Sequence, residues 1–232
     1  FLFQSLDRVQ FYDLSGNLLG DTDILDLDQS VFTGSDIIFE EALGGETITP
    51  EDTLLHIQSN NTNGSSSFKD ISVHSRSVAN VGQMKHISSQ KNLGAKSSIG
   101  FDGTSYLTLP DSELYNLGAD DFTIEGWFNY TSLQTRNYNH TTTLINHHTT
   151  GGDHLTSFSI SIQKNRSITA YLFHSKGKKT ALTTGVNTIS PNTWFHYAFV
   201  RTNGKLYLYL NGKQKDVQTI GNIPANNCPY KI

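Results

Sequence analysis

The chain has 232 residues, with 17 basic and 21 acidic side chains, a net charge of −4 and a single cysteine, Cys228. That balance excludes a basic nucleic-acid-binding arm, and one cysteine excludes an internal disulfide framework. No run approaches the ~18 apolar residues of a transmembrane helix, so neither nucleic acid nor membrane insertion is expected.

The chain opens Phe1-Leu2-Phe3, with no initiator Met and no charged leader, and so reads as a piece that starts within a longer protein. Ser, Thr, Asn and Gly are plentiful, which points to β structure and turns. Five Asn-x-Ser/Thr sequons, at Asn60, Asn63, Asn129, Asn139 and Asn165, are about what chance gives in such a chain, and glycosylation is not inferred.

Residues 1–49 read as a β-rich connector or the end of a preceding domain, too short for a core of their own. Arg8 to Asp13 forms a strand, Ser15-Gly16-Asn17 a turn, and Leu18-Leu19 the return. Asp21, Asp23, Asp26 and Asp28 invite a calcium reading, but the spacing lacks the central Gly and the closing Glu of a calcium loop. A solvated strand or loop fits them better. Ile37-Ile38-Phe39 is a further candidate strand.

From residue 50 the pattern becomes regular. Leu54 to Ile57 reads as a short strand, and Asn60 to Ser67 as a polar loop. Ile99 to Asp102 and Tyr106 to Leu109 read as strand, turn and strand. A single helical turn is expected between Asp111 and Leu117, capped by Asp111 or Ser112. In Asp121 to Phe128, strand parity puts Phe122, Ile124, Gly126 and Phe128 on one face and Thr123, Glu125 and Trp127 on the other. Leu144-Ile145, Phe158 to Ile162, Ile168 to Phe173 and Thr180 to Thr184 supply further short strands.

Pro191 to Gln214 carries the strongest local signal. Asn203-Gly204 and Asn211-Gly212 suit type I′ turns, because both positions accept positive φ. They predict a three-stranded antiparallel meander over roughly 193–202, 205–210 and 213–219. A two-residue loop at Asn203-Gly204 places Tyr197, Phe199 and Arg201 on a face with Leu206, Leu208 and Leu210. Trp194, His196, Ala198 and Val200 then share the other face with Tyr207 and Tyr209. Large apolar groups on both faces suit the middle strands of a sandwich.

These residues resemble the laminin-G-like, concanavalin A-like lectin/glucanase superfamily, in the form common in bacteriophage and bacterial surface proteins. The resemblance rests on Thr53 to Ile57 with Phe68 to Ser72, on Lys96 to Gly103 with Tyr106-Leu107, on Asp121 to Phe128, and on Trp194 to Val200 with Tyr207 to Gly212. It covers about 50–232 and implies an all-β fold, an antiparallel β-sandwich of the concanavalin A-like jelly-roll kind. Gly126 departs from the pattern, standing where the family usually has an aromatic. The family also continues with one or two further strands where this chain reaches Tyr230-Lys231-Ile232, so the sandwich is expected to be C-terminally incomplete, with an open edge.

No catalytic residue is identified. Glucanases of the superfamily set acidic residues at alternate positions of one strand, and glycoside hydrolysis needs two nearby carboxylates. Here Glu125 is isolated, with Asp121 four residues away at the strand's start. No Gly-x-Ser-x-Gly and no Gly-rich phosphate loop occurs. His140, His147, His148 and His154, with Asp153, fall together but match no metal-site spacing, and read as a strand flanked by loops. His196 reads as a hydrogen-bonded core residue. No cofactor is expected; calcium occurs in parts of the superfamily, but no ligand set matches.

Two functions remain, with hydrolysis of polysaccharide a third and less favoured reading. The first is a non-catalytic structural and interaction module of a phage particle, in a fibre, tail or capsid decoration. It would sit at the virion surface and contact copies of itself and neighbouring virion proteins. The second is a carbohydrate-binding or adhesion module of a secreted or cell-surface protein. Tyr130, Tyr138, Asn139 and Asp153 are the candidate glycan-binding residues, as loop groups able to stack on or hydrogen-bond a sugar.

Overall fold

The structure is a computed structural model that describes residues 10–12, 18–21, 50–92, 95–110, 112–115, 117–133, 140–148, 156–175 and 178–223. Its described secondary structure is antiparallel β apart from two single 3-10 turns, Pro50–Asp52 and Glu113–Tyr115. In the second turn Ser112 is the cap: its Oγ accepts from Leu114 N and its carbonyl from Tyr115 N.

The chain divides into two compact units, residues 1–110 and 111–232. In the first unit, β1 (Gln10–Tyr12) pairs with β2 (Leu18–Asp21), matching the expected strand and return. The calcium-like acidic run beyond Asp21 and the candidate strand at Ile37 lie outside the described residues. Leu54 to Ile57 is not a full strand; it contributes one bridge, Ile57 to Asp70. β3 (Ala79–Val81) pairs with β6 (Tyr106–Thr108), and β4 (Lys85–Ile87) with β5 (Ser98–Gly100). The expected hairpin over 99–109 therefore does not form, because each of its strands takes a partner from upstream. Between them the exposed Asp102 carboxylate accepts from the backbone N and hydroxyl of both Thr104 and Ser105, which closes a local turn and depresses its pKa.

The second unit is the sandwich. One sheet has the order β14-β13-β12-β7, formed by Lys213–Thr219, Lys205–Leu210, Phe195–Thr202 and Phe122–Phe128. The other has the order β11-β10-β9-β8, formed by Lys178–Thr183, Ile168–Ser175, Thr156–Gln163 and His140–His148. The meander forms as read from its turns: Tyr197, Phe199 and Arg201 stand opposite Leu210, Leu208 and Leu206. Asn203, Gly204, Asn211 and Gly212 all have φ between 49° and 72°, the left-handed values a type I′ turn needs.

Alternation along each strand sends one set of side chains inward. Phe199, Leu206 and Leu208 from the first sheet join Ile160, Ile162, Ile168, Leu172 and Leu182 from the second in one core cluster. Burying each such side chain contributes about 1.5–3 kcal/mol before entropy is counted. Thr183 N also donates to Asp216 Oδ2 at 3.0 Å, joining β11 to β14 across the edge of the sandwich.

Two inward residues have special roles. Gly126 faces Tyr197 across the ladder, and a Cβ at Gly126 would meet the Tyr197 hydroxyl at 3.1 Å. The room left by the family's usual aromatic is thus taken by a ring from the neighbouring strand. Arg201 is 1% exposed, and its Nη1 donates to the carbonyls of Gly118 and Ile223 while Nη2 donates to Gly221. The guanidinium ties the segment before β7 to the segment after β14.

Candidate functional site

The outward side chains of β7, β12 and β13 form the most distinctive surface of the second unit. Register places Trp127 opposite His196, Glu125 opposite Ala198, and Thr123 opposite Val200. Ala198 and Val200 in turn stand opposite Tyr209 and Tyr207. Trp127 is 45% exposed, an unusual position for an indole on a sheet face.

His196 lies against this indole, with ring centroids 5.2 Å apart. Its Nε2 stands 3.4 Å from Glu125 Oε2, and this contact is the main cause holding the Glu125 carboxyl below its ordinary value; partial burial opposes it. Tyr207 and Tyr209 stack at 6.1 Å on the next strand. The small Ala198 sits at the centre, buried, between the carboxylate of one neighbour strand and the phenol of the other. The surface therefore combines flat aromatic area with a hydrogen-bond acceptor and an imidazole.

His196 was expected in the core and lies instead on the outer face, because its parity is opposite to that of Tyr197 and Phe199. Glu125 is not isolated: the β7–β12 pairing gives it a partner some 70 residues downstream. A catalytic carboxylate pair is not built here. Asp121 is four residues back, about 13 Å at ~3.3 Å per residue, and its Oδ2 accepts from Thr202 Oγ1. Glycosidase carboxyls flank one bond at about 5–9.5 Å.

The sequence-derived sugar contacts fare differently. Tyr130 is 9% exposed and belongs to the core cluster; its hydroxyl donates to the Ile189 carbonyl at 3.4 Å, and burial raises its pKa. Parity explains this: Tyr130 follows Phe128 by two positions and keeps its inward direction. Tyr130 is thereby removed as a sugar-stacking residue. Tyr138, Asn139 and Asp153 lie outside the described residues, as does His154. His140 to His148 forms β8, and His147 is tied by Nδ1 to Ser157 Oγ at 3.2 Å and packed against Tyr115 and Phe158. Among the described residues no three metal-ligating side chains converge.

Trp127, Tyr207 and Tyr209 were not singled out from the sequence. The signal was present in the period-2 alternation of β7 and in the Asn-Gly register, which grouped these residues on the faces opposite Phe122 and Phe199 without showing which face is outward.

The first unit holds a larger hollow of about 370 Å3, lined by Asn63, Lys85, His86, Phe101 and Asp102 among others. Its acid and imidazole are already committed. Asp102 serves its own turn, and His86 accepts from Ser59 Oγ at Nδ1, donates from Nε2 to the Ser67 carbonyl, and stacks on Phe68. The Ser59–His86 contact resembles a nucleophile with its base, yet Ser59 also joins Ser97 Oγ at 3.0 Å, and the 2% exposed imidazole acts as a clamp on the 59–67 loop.

Comparison with known proteins agrees with this architecture. A family profile described as the concanavalin A-like lectin/glucanases superfamily matches residues 101–229. The chain belongs to this superfamily. No curated protein matches the sequence. Among solved structures, the chain is similar to one described as HCR/D-Sa-GBL1/C, with 18% identity and a TM-score of 0.56, over 75% of this chain and 40% of that one. It is also similar to a structure from work on botulinum neurotoxin type C, whose cell entry is described as dependent upon interaction with two ganglioside molecules. That match has 17% identity and a TM-score of 0.52, over 76% of this chain and 42% of the other. The chain thus spans less than half the length of either structure, and at these identities the likeness is one of fold. The fold is lectin-like, a carbohydrate-binding architecture.

Proposed function

We propose that the second unit is a non-catalytic glycan-binding module whose contact surface is the outer face of β7, β12 and β13. The observation that carries this reading is the half-exposed Trp127, fixed beside the Glu125–His196 pair on the face that also carries Tyr209 and Tyr207, which register with Glu125 and Thr123 through Ala198 and Val200. A pyranose lying on the indole would present hydroxyls to Glu125 and His196, while the tyrosines extend the platform toward a second ring. Tyr138, Asn139 and Asp153 are further contacts within the same proposal. No reaction is assigned, because Asp121, the carboxylate that shares the parity of Glu125, lies about 13 Å along the strand.

The setting we propose is the surface of a phage particle, in a fibre, tail or capsid decoration, where the module contacts copies of itself and neighbouring particle proteins. The motif variants in Lys96 to Gly103 and Trp194 to Gly212 support this setting. The other setting for the same surface is a secreted or cell-surface adhesion protein. Antibody against the purified chain decorating intact phage particles supports the first; decoration of cell surfaces alone sinks it.

Binding itself is tested by screening the purified full chain on a glycan array and titrating the best ligand by calorimetry. Trp127→Ala should weaken that ligand at least tenfold, with the fold retained by circular dichroism. Unchanged affinity in Trp127→Ala, or no bound glycan at all, overturns the assignment.

A further inference from the structure

The opposite sheet carries a second recognition surface of different character. On the outward side of β9, β10 and β11 lies a groove of about 160 Å3 lined by Thr143, Ser159, Ser161, Tyr171, Phe173 and Lys179. Register explains the grouping. Tyr171 stands opposite Ser159 on β9, Thr143 of β8 opposite Ser161, and Lys179 of β11 opposite Phe173. The floor is therefore a set of hydroxyls, and one wall is a pair of aromatic rings 6.0 Å apart.

Lys179 sets the charge of this groove. Its Nζ stands 4.0 Å from the Tyr171 centroid and 5.6 Å from that of Phe173, so the rings hold the ammonium over the groove. None of the six lining residues is acidic, and among the described residues no carboxylate pairs with Lys179. The chain as a whole is acidic, so a cation held over an aromatic wall and a hydroxyl floor is a local reversal of sign. The front surface has the opposite character, with a carboxylate between its aromatic groups.

We propose that this groove binds a carboxylated sugar, a hexuronic-acid residue of an acidic glycan. The carboxylate takes the Lys179 ammonium, the ring lies along Tyr171 and Phe173, and the hydroxyls meet Ser159 and Thr143. The assignment deepens the glycan-binding reading, on which it rests, but uses residues on the other sheet, so the two can fail separately.

The experiment titrates the full chain with a galacturonic-acid hexamer and with its methyl ester, which keeps the rings and removes the charge. Binding is followed by aromatic and amide shifts in NMR spectra. The acid should shift Tyr171 and Phe173, bind at least tenfold more tightly than the ester, and weaken as salt rises. Lys179→Ala should lose tenfold or more, and Lys179→Arg should retain binding. An ester that binds as well as the acid, or an acid that binds Lys179→Ala equally, overturns the proposal while neutral glycans still read the front surface. If neither acid, ester nor any neutral glycan binds, both assignments fall.

Discussion

Residues 50–110 and residues 111–223 are both antiparallel β structure, but they are held together by different kinds of group. In the first, the described buried side chains are Phe68 and Met84 beside the polar Asp70, Ser72, His86 and Ser97. In the second, the core is a continuous apolar cluster contributed by both sheets. Three-residue ladders present too few alternating side chains to fill a core, so short strands lean on buried hydrogen bonds instead. The eight-residue strands β9 and β10 each bury three apolar side chains and let apolar area carry the fold.

The largest effect expected from this contrast is in the second core. Phe199 is wholly buried and meets Phe122 edge-on at 5.5 Å. Phe199→Ala should destabilise the second unit by about 4 kcal/mol, the usual range for a deleted core ring. Both tryptophans of the chain, Trp127 and Trp194, lie in that unit, so the urea midpoint of tryptophan fluorescence reports it selectively. A shift worth less than about 1 kcal/mol would mean that the apolar cluster does not carry this unit.

The matching test of the polar unit concerns Asp70. Burial raises its pKa, but donation from the backbone N of His56, Ser72 and Arg76 outweighs this and lowers it from 3.8 to about 2. Arg76 adds a guanidinium 3.8 Å away, itself bound to the Leu54 carbonyl. A carboxyl depressed in the folded state contributes stability that is present above its unfolded pKa and lost as pH falls through the folded one. Asp70 should therefore contribute roughly 2 kcal/mol above about pH 5, lost between about pH 4 and pH 2. In Asp70→Asn, hydrogen exchange at the Ser72 and Arg76 amides should speed up about tenfold or more at pH 6. It should also lose its dependence on pH between 4 and 2.

These two regions were also unequally legible. The meander and the grouping of β12 and β13 side chains into two faces followed from two Asn-Gly turns and strict alternation, because a turn signal and a period of two are local properties. The first unit was misread at 54–57 and 99–109, since its strands pair with segments some 11 to 29 residues away and nothing in the strands names the partner. The same limit hid the Glu125–His196 contact. Alternation grouped each member with its own strand neighbours, but the β7–β12 register that joins them is a tertiary fact. Tyr130 failed for another reason: a tyrosine after a strand reads as a loop aromatic unless the parity of the strand is carried two residues further.

A smaller effect is expected at Gly126. Alanine is ordinarily the better strand residue, yet its Cβ would stand 3.1 Å from the hydroxyl and 3.3 Å from the ring of Tyr197. Tyr197 is buried and packed against Phe128, so it has little room to yield. The crowding should outweigh the gain in propensity and leave Gly126→Ala about 1 kcal/mol less stable by the same fluorescence assay. A more stable variant would mean that the Tyr197 ring can move aside.

The smallest effect on stability belongs to the outer face, where the groups of greatest functional interest lie. The Glu125 carboxyl is about a third exposed and its partner His196 about a fifth, so water screens the pair and its contribution is on the order of 0.5 kcal/mol. Because the carboxyl is depressed, that contribution is present above its unfolded value of about 4.5 and fades as pH falls below it. Glu125→Gln should thus differ from the parent by about 0.5 kcal/mol at pH 6 and converge with it near pH 3, read as the gap between two fluorescence midpoints. Its effect on glycan binding should be much larger, since the acceptor beside Trp127 becomes a neutral amide. A variant that loses several kcal/mol of stability instead would make Glu125 part of the framework, and would move the outer face from recognition to folding.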